Sequence, residues 1–204
     1  MLQAVAARRA TAPVLSDLIP GERVRDVLVV VGFAATVGLF AQLAIKLPFT
    51  PVPITGQTFA VLLGGMAVGT RRGLAGMLLY LLAGLLGVPW FAQGAGGFAV
   101  LTTPSFGYVV GFVLAATGLG LLARLRFDRR PLLVLAAMVT GNLIIYCFGA
   151  TWLAVDLHLN LATAISLGVT PFLLGDAIKA VVAMGLLPTV WSLVGGHGPD
   201  QPSQ

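Results

Sequence analysis

The chain has 204 residues, of which 58% are hydrophobic and 9% are charged, and its net charge is +5. Soluble domains carry roughly 25% charged residues and, at this length, still expose roughly a quarter to a third of their unfolded surface. The composition therefore excludes an ordinary soluble protein and predicts one domain in lipid, while the short basic clusters between apolar runs argue against nucleic-acid binding.

Six apolar segments are predicted to cross the membrane as helices. About 20 apolar residues, each rising ~1.5 Å, cross a bilayer core. The uncharged stretch 73–123 would run ~75 Å as one helix, more than twice the core thickness, so it must fold back between residues 89 and 104. The predicted spans are 27–45, 55–69, 73–88, 106–123, 131–155 and 171–194, with a short interfacial or re-entrant helix at 159–167.

The arginines predict the orientation of the bundle. They precede the first span, separate the second from the third and separate the fourth from the fifth, whereas the opposite loops carry only Lys46 as a cation. Basic loops stay in the cytoplasm. We therefore expect an all-α integral membrane protein of six transmembrane helices, multi-pass in the cytoplasmic membrane, with both termini cytoplasmic. Its single membrane domain, 1–204, comprises a cytoplasmic segment (1–25), the six-helix bundle (27–194) and a polar tail (195–204).

Asp176 and Lys179 are the main chemical signal within the predicted spans. A spacing of three places both on one helix face. Ionisable side chains at membrane depth are costly, and they usually face an interior cavity or each other. We interpret the pair as part of a ligand site in the outer half of the bundle. The alternative is a self-neutralising ion pair that only fixes the helix.

Further polar, aromatic and glycine residues fall at the outer end of the predicted bundle. These candidate ligand-binding residues are Gln57, Trp90, Gln93, Gly97, Tyr108 and Tyr146. Each also has a structural explanation, because aromatic side chains gather at membrane interfaces and polar ones bond neighbouring helices. Their convergence with the ion pair favours a small-molecule site, which needs few polar groups among many apolar ones.

Four stretches of the chain resemble the BioY family, the substrate-binding components of biotin transporters of the energy-coupling-factor type. They read PFTPVPITGQTFAVLLGG (48–65), LLYLLAGLLGVPWFAQGAGGFAVL (78–101), PSFGYVVGF (104–112) and PFLLGDAIKA (171–180). Asp176 and Lys179 stand where the family has its characteristic D-x-x-K pair. The chain departs from the usual family pattern in two loop stretches, 93–97 and 103–108.

The resemblance implies that the chain binds biotin at its outer end as a transported ligand, without a cofactor. A separate membrane coupling (T) subunit and two cytoplasmic ABC-type ATPases would supply movement and energy. Members of the family dock on the coupling subunit through small residues of the first helix. Here Ala34 and Gly38 form such a small-xxx-small pair.

Two alternatives remain within transport, and enzymes are disfavoured. The chain would serve another vitamin as an S component, or it would act as a solitary carrier. An intramembrane metalloprotease needs an H-E-x-x-H motif, an ATPase needs a Walker A motif, and a serine hydrolase needs a G-x-S-x-G elbow with a base. The sequence has none of these, so we expect no catalytic residues and no metal site.

Overall fold

The computed structural model describes residues 13–19 and 21–195. The basic pair at 8–9 and the tail from residue 196 onwards lie outside the described residues. The chain folds into helices joined by short connections, and one two-stranded hairpin closes the loop after the first helix. The helices are α1 (Glu22–Gln42), α2 (Gln57–Val68), α3 (Thr70–Leu85), α4 (Phe106–Arg124), α5 (Pro131–Asp156), α6 (Leu161–Gly168) and α7 (Leu173–Gly195), and the strands are β1 (Ala44–Ile45) and β2 (Ile54–Thr55).

Within the part of the chain that the structure describes, four segments are long and apolar enough to cross a membrane, by length and composition. They are Arg23–Gln42, Phe106–Arg124, Pro131–Asp156 and Leu161–Val194, and α2 is a shorter apolar helix. This agrees with a helical, multi-pass membrane protein. The predicted short helix at 159–167 corresponds to α6, which continues through a 3-10 turn into α7.

The ends of several helices differ from the prediction. The first helix starts earlier, at Glu22, and ends at Gln42 because β1 leaves it to pair antiparallel with β2. The connection between α2 and α3 is the single residue Gly69, not an arginine-containing loop. Gly69 has φ +83°, a left-handed conformation that glycine adopts without a Cβ clash. Arg71 and Arg72 therefore lie in the first turn of α3.

The first two helices after the hairpin run antiparallel. The Gln57 side chain, at the start of α2, donates to the Tyr80 hydroxyl of α3 at 2.8 Å, which two helices continuing in one direction would not permit. Helix α4 packs against α2, α3 and α5. Glycines allow this close approach, because a Cβ added at Gly65 would stand 2.8 Å from Ala116 and one at Gly111 would stand 2.9 Å from Ile145.

At one end of the bundle an N-terminal 3-10 turn, Leu15–Leu18, is held by arginines. Arg72 donates to the Asp17 carboxylate and to the Ser16 hydroxyl, each at 2.6 Å, and Arg124 lies 3.8 Å from Asp17. Burial alone would raise the pKa of Asp17. The hydrogen bonds from Arg72 and the Val14 N–H and the charges of Arg72 and Arg124 together outweigh it, so this pKa lies below its ordinary value. We refer to these residues, Ser16, Asp17, Arg72 and Arg124, as the arginine-rich end.

The predicted docking pair on α1, Ala34 and Gly38, is not on the outer surface of the bundle. Ala34 is fully buried, and a Cβ added at Gly38 would lie 3.1 Å from Trp90, so both residues face the bundle interior. The helical repeat places Gly32 and Thr36 on the exposed side of α1. There they border an apolar groove of about 340 Å³ between α1 and α2, which we call the α1–α2 groove.

Candidate binding site

A cavity of about 440 Å³ lies at the end of the bundle where α2 and α7 begin. The hairpin loop, the starts of α2 and α7, the segment between α3 and α4, and one side each of α4 and α5 form its wall. Its volume is within the roughly 300–1,000 Å³ of typical small-molecule sites. Apolar and aromatic side chains form most of the wall, and its ion pair, Asp176 and Lys179, lies in one hydrogen-bonded network with Thr58 and Tyr146.

Lys179 is the centre of that network. Its ammonium donates to the Asp176 carboxylate at 2.9 Å, to the Thr58 hydroxyl at 2.7 Å and to the Thr55 carbonyl at 2.9 Å. An ammonium has three N–H donors. All three are therefore engaged within the protein, and the lysine is fixed between α2 and α7.

The Asp176 carboxylate is 5% exposed and receives hydrogen bonds on both oxygens. Oδ1 accepts from Lys179 and from the Thr58 hydroxyl at 3.1 Å, while Oδ2 accepts from the Tyr146 hydroxyl at 2.5 Å. A carboxylate has about four acceptor positions. The contacts of the described residues fill three of these, so Oδ2 retains one position for a donor from a ligand.

The start of α7 explains this arrangement. A 3-10 turn, Thr170–Phe172, contains Pro171 and leads into the helix. Asp176 then falls in the first turn, where the positive end of the helix dipole favours a carboxylate. Lys179 lies one turn further on the same face, as the spacing predicts.

Gln57 and two aromatic residues form a second chain of contacts. The Gln57 amide lines the cavity and donates to the Tyr80 hydroxyl, which donates in turn to the Trp90 carbonyl at 3.2 Å. The Trp90 indole donates to the Tyr80 carbonyl at 2.9 Å, and the two rings lie 5.2 Å apart. Trp90 is not among the described residues that line the cavity. It supports the wall from behind.

The segment between α3 and α4 brings Gln93 to the cavity but not Gly97. Gln93 lines the wall in a left-handed conformation with φ 65°. Gly97 is outside the described lining; its N–H donates to the Gly84 carbonyl at 2.7 Å, at φ +84°. Gly97 therefore shapes the segment. Tyr108 contributes its ring to the wall, while its hydroxyl donates to the Gly168 carbonyl at 2.6 Å.

The structure thus brings six of the eight sequence-predicted residues to one cavity. They are Gln57, Gln93, Tyr108, Tyr146, Asp176 and Lys179. Sequence reasoning missed Thr58, which bridges the ion pair, and Lys46, which lines the same cavity. Thr58 follows Gln57 directly in the sequence Gly56-Gln57-Thr58. This position next to a predicted site residue was the sequence feature that could have identified it.

Gln42 was also missed, and it fixes the segment after α3. From the last turn of α1 its amide donates to the carbonyls of Trp90 at 3.2 Å and Phe91 at 3.3 Å, and its carbonyl accepts from the Gly94 N–H at 3.0 Å. These partners lie about fifty residues away along the chain, so no local pattern marks the contact. The hairpin loop is attached elsewhere, through the Thr50 hydroxyl and the Leu167 carbonyl at 2.7 Å.

Comparisons with known proteins agree with this architecture. A sequence model described as the BioY family matches residues 8–196. A biotin transporter BioY of Rhizobium etli is 38% identical over 167 residues, which covers 78% of this chain and 89% of the relative. Another from Thermotoga maritima is 40% identical over 139 residues, covering 68% and 80%.

One solved structure has the same fold. It is described as the S-component for biotin from an ECF-type ABC transporter, and it superimposes with a TM-score of 0.77. The match covers 86% of this chain and 95% of that one. The sequence identity is 22%, so this likeness shows the fold.

Proposed function

Because the chain belongs to the BioY family, we propose that it captures biotin with high affinity at the outer face of the cell membrane, as the substrate-binding (S) component of an energy-coupling-factor transporter. It is a transport protein and not an enzyme. The observation that carries the proposal is the cavity, whose apolar and aromatic wall holds one hydrogen-bonded ion pair with a buried aspartate, Asp176, and a largely buried lysine, Lys179.

The chemistry of biotin suits this wall. Its fused bicycle is neutral and compact, and its ureido group presents two N–H donors beside one carbonyl. The open acceptor position on Asp176 Oδ2 fits a ureido N–H. The rings of Tyr108, Phe112 and Phe172 provide apolar contact for the remainder of the bicycle. A single charge-assisted hydrogen bond with surrounding apolar burial gives both orientation and affinity.

Five residues are proposed to contact biotin directly, and three act in support. Asp176 accepts from the ligand, and Lys179 fixes the charge and position of that carboxylate. Tyr146, Gln57, Gln93 and Tyr108 complete the polar and aromatic contacts. Trp90 and Gly97 act from behind the wall, by holding the segment that carries Gln93.

The proposed topology has six membrane-spanning helices in a single domain, formed by α1–α5 and α7 with both termini cytoplasmic. It is supported by the arginines of α3 and of the connection between α4 and α5, which share one end of the bundle. Cysteine labelling tests this topology in a chain whose Cys147 has been replaced. One cysteine at a time is introduced at an exposed position, as Arg71→Cys, Arg130→Cys or Phe98→Cys. An impermeant thiol reagent added to whole cells should label position 98 and spare 71 and 130. Labelling at 71 or 130 contradicts this orientation.

The proposed partners are a membrane coupling subunit and two cytoplasmic ATPases. The exposed small residues of α1, Gly32 and Thr36, would let a helix of the coupling subunit approach α1 closely. Ala34 and Gly38 are buried and offer no such surface. Apart from its chain neighbours and the adjacent backbone of α1, no atom of the described residues lies within 4 Å of a Cβ built on Gly32. Gly32→Leu should therefore fold and bind biotin normally. It should lose copurification with the coupling subunit. Retained copurification would place docking elsewhere.

Equilibrium binding to the purified chain tests the proposed ligand. Labelled biotin should bind one per chain, and unlabelled thiamine or riboflavin should not displace it. Displacement by either vitamin, with weak biotin binding, would favour an S component for another ligand. Biotin uptake in cells that lack every coupling module would favour a solitary carrier.

A further inference from the structure

The cavity wall carries two cations within the described part of the chain, Lys46 and Lys179, and one anion, Asp176. Biotin adds a carboxylate at the end of a flexible aliphatic tail. A carboxylate that is partly removed from water needs a cationic or donor partner. The choice between the two lysines therefore decides which way round the ligand lies.

Lys179 is a poor partner for an incoming carboxylate. Its three donors are engaged by Asp176, Thr58 and Thr55. A ligand carboxylate at this position would displace at least one of these bonds. It would also lie close to the carboxylate of Asp176, which is only 2.9 Å from the ammonium, and like charges at such a distance repel. The pair as a whole is neutral and offers no net attraction.

Lys46 has the opposite character. It follows β1 in the hairpin loop, is exposed, and still lines the cavity. Among residues 13–19 and 21–195 it has neither a hydrogen bond nor an ion pair. A lysine ammonium is a compact charge on a flexible stem with three rotatable donors. Its full charge is therefore available at the solvent-facing side of the cavity.

We propose that Lys46 is the carboxylate-binding residue of the cavity. This inference rests on the proposed biotin function and specifies it further. The bicycle enters first and meets Asp176, Lys179 and Tyr146, and the acidic tail points back towards the hairpin loop. Lys179 therefore serves the ureido end of the ligand by positioning Asp176. Lys46 selects ligands with an acidic tail.

Paired ligands test the assignment, because biotinamide has the same bicycle and tail but a neutral end. With purified full-length protein, the wild type should prefer biotin over biotinamide by about 2- to 5-fold, a modest factor because water and salt screen an exposed ion pair. Lys46→Met should abolish this preference by weakening biotin alone. Lys46→Arg should retain it. High salt should reduce the wild-type preference.

The matched control is Lys179→Met, which should weaken biotin and biotinamide by a similar factor and so keep their ratio. A preference for biotin that persists in Lys46→Met, or one that disappears in Lys179→Met, overturns the assignment of Lys46. Equal wild-type affinity for the two ligands overturns it as well. A wild type that binds neither ligand refutes the proposed function together with the subsite. An unchanged melting temperature in Lys46→Met excludes misfolding as the cause of any loss.

Discussion

The cavity and the arginine-rich end both contain an aspartate bound closely by a cation, yet only one has the properties of a ligand site. The distances are alike, at 2.6 Å for Arg72 and Asp17 and 2.9 Å for Lys179 and Asp176. The surroundings differ. The Asp17 side chain is 24% exposed and accepts from its own segment, at the Val14 N–H. Asp176 is buried against an open cavity and keeps an acceptor position.

The difference shows that ion-pair geometry alone does not mark a function. Asp17 closes the N-terminal turn and joins it to α3, so its contacts are satisfied within the protein. Lys179 is also fully engaged within the protein, but Asp176 keeps one acceptor position and lies beside an apolar volume that a ligand can fill. We therefore expect substitutions at the cavity to change affinity, and substitutions at the arginine-rich end to change stability.

The largest effect is expected at the buried pair. Asp176→Asn and Lys179→Met should each weaken biotin binding by ~2–3 orders of magnitude. Breaking a buried pair costs ~3–5 kcal/mol, and each decade of affinity is 1.4 kcal/mol. Isothermal titration of the purified variants measures this. The double variant should recover thermal stability more than affinity, because it removes the unpaired charge without replacing the ligand contact.

The control for this prediction lies at the other end of the bundle. Arg72→Met removes the nearer of the two arginines that pair with Asp17. It should lower the melting temperature while leaving the biotin Kd unchanged. If Asp176→Asn and Lys179→Met lose thermal stability but keep wild-type biotin affinity when folded, the pair at the cavity is structural. Both ion pairs would then serve only the stability of the fold.

A smaller effect is expected at Gln42, which holds the segment that carries Phe91 and Gln93. Gln42→Leu removes its contacts with Trp90, Phe91 and Gly94. At a net ~0.5–1.5 kcal/mol for each hydrogen bond, partly compensated by water, biotin should dissociate about 10-fold faster. Stopped-flow dissociation measures the rate. Gln42→Glu keeps the acceptor for Gly94 and should lie between the wild type and Gln42→Leu.

Thr50→Val is the comparison for Gln42, because Thr50 attaches the hairpin loop to the Leu167 carbonyl instead. Each variant loosens one of the two segments over the cavity. Equal dissociation rates in Gln42→Leu and the wild type would show that the segment after α3 does not hold the ligand.

Sequence reasoning reached the parts of the molecule that local patterns encode. Charge-free lengths located the helices, and a spacing of three placed Asp176 and Lys179 on one face. The missed features depend on contacts between distant segments. Gln42 meets residues beyond the next two helices, the strand pairing ends α1 before Ile45, and the inward direction of Ala34 depends on how α1 is rotated against α3. No single-sequence period determines these contacts.

The smallest expected effect concerns Asp17. Its pKa lies below the ordinary value of 3.8 because the hydrogen bonds and charges of its partners, above all Arg72, together outweigh its burial. A carboxyl with a lowered folded pKa stabilises the protein above its unfolded pKa, and this contribution is lost as the pH falls through the folded value. Asp17→Asn should therefore cost about 0.5–1 kcal/mol at neutral pH, as for a partly exposed pair.

Thermal unfolding of the wild type and Asp17→Asn at pH 7 and at pH 3 measures this difference. The difference in melting temperature between the two proteins should be smaller at pH 3 than at pH 7. Their biotin affinity at pH 7 should be equal. A difference in melting temperature that is larger at pH 3 would contradict the lowered pKa of Asp17.

The most direct test of the proposed biotin site in the cavity is to locate the bound ligand by covalent capture. A biotin derivative with a photoreactive diazirine on its tail is bound to the purified chain and irradiated, and the labelled peptides are identified by mass spectrometry. We expect label on the residues that enclose the cavity, above all on the hairpin loop around Lys46, and we expect excess biotin to prevent it. Biotin-sensitive label in the α1–α2 groove, with the cavity residues unlabelled, would contradict the proposed site.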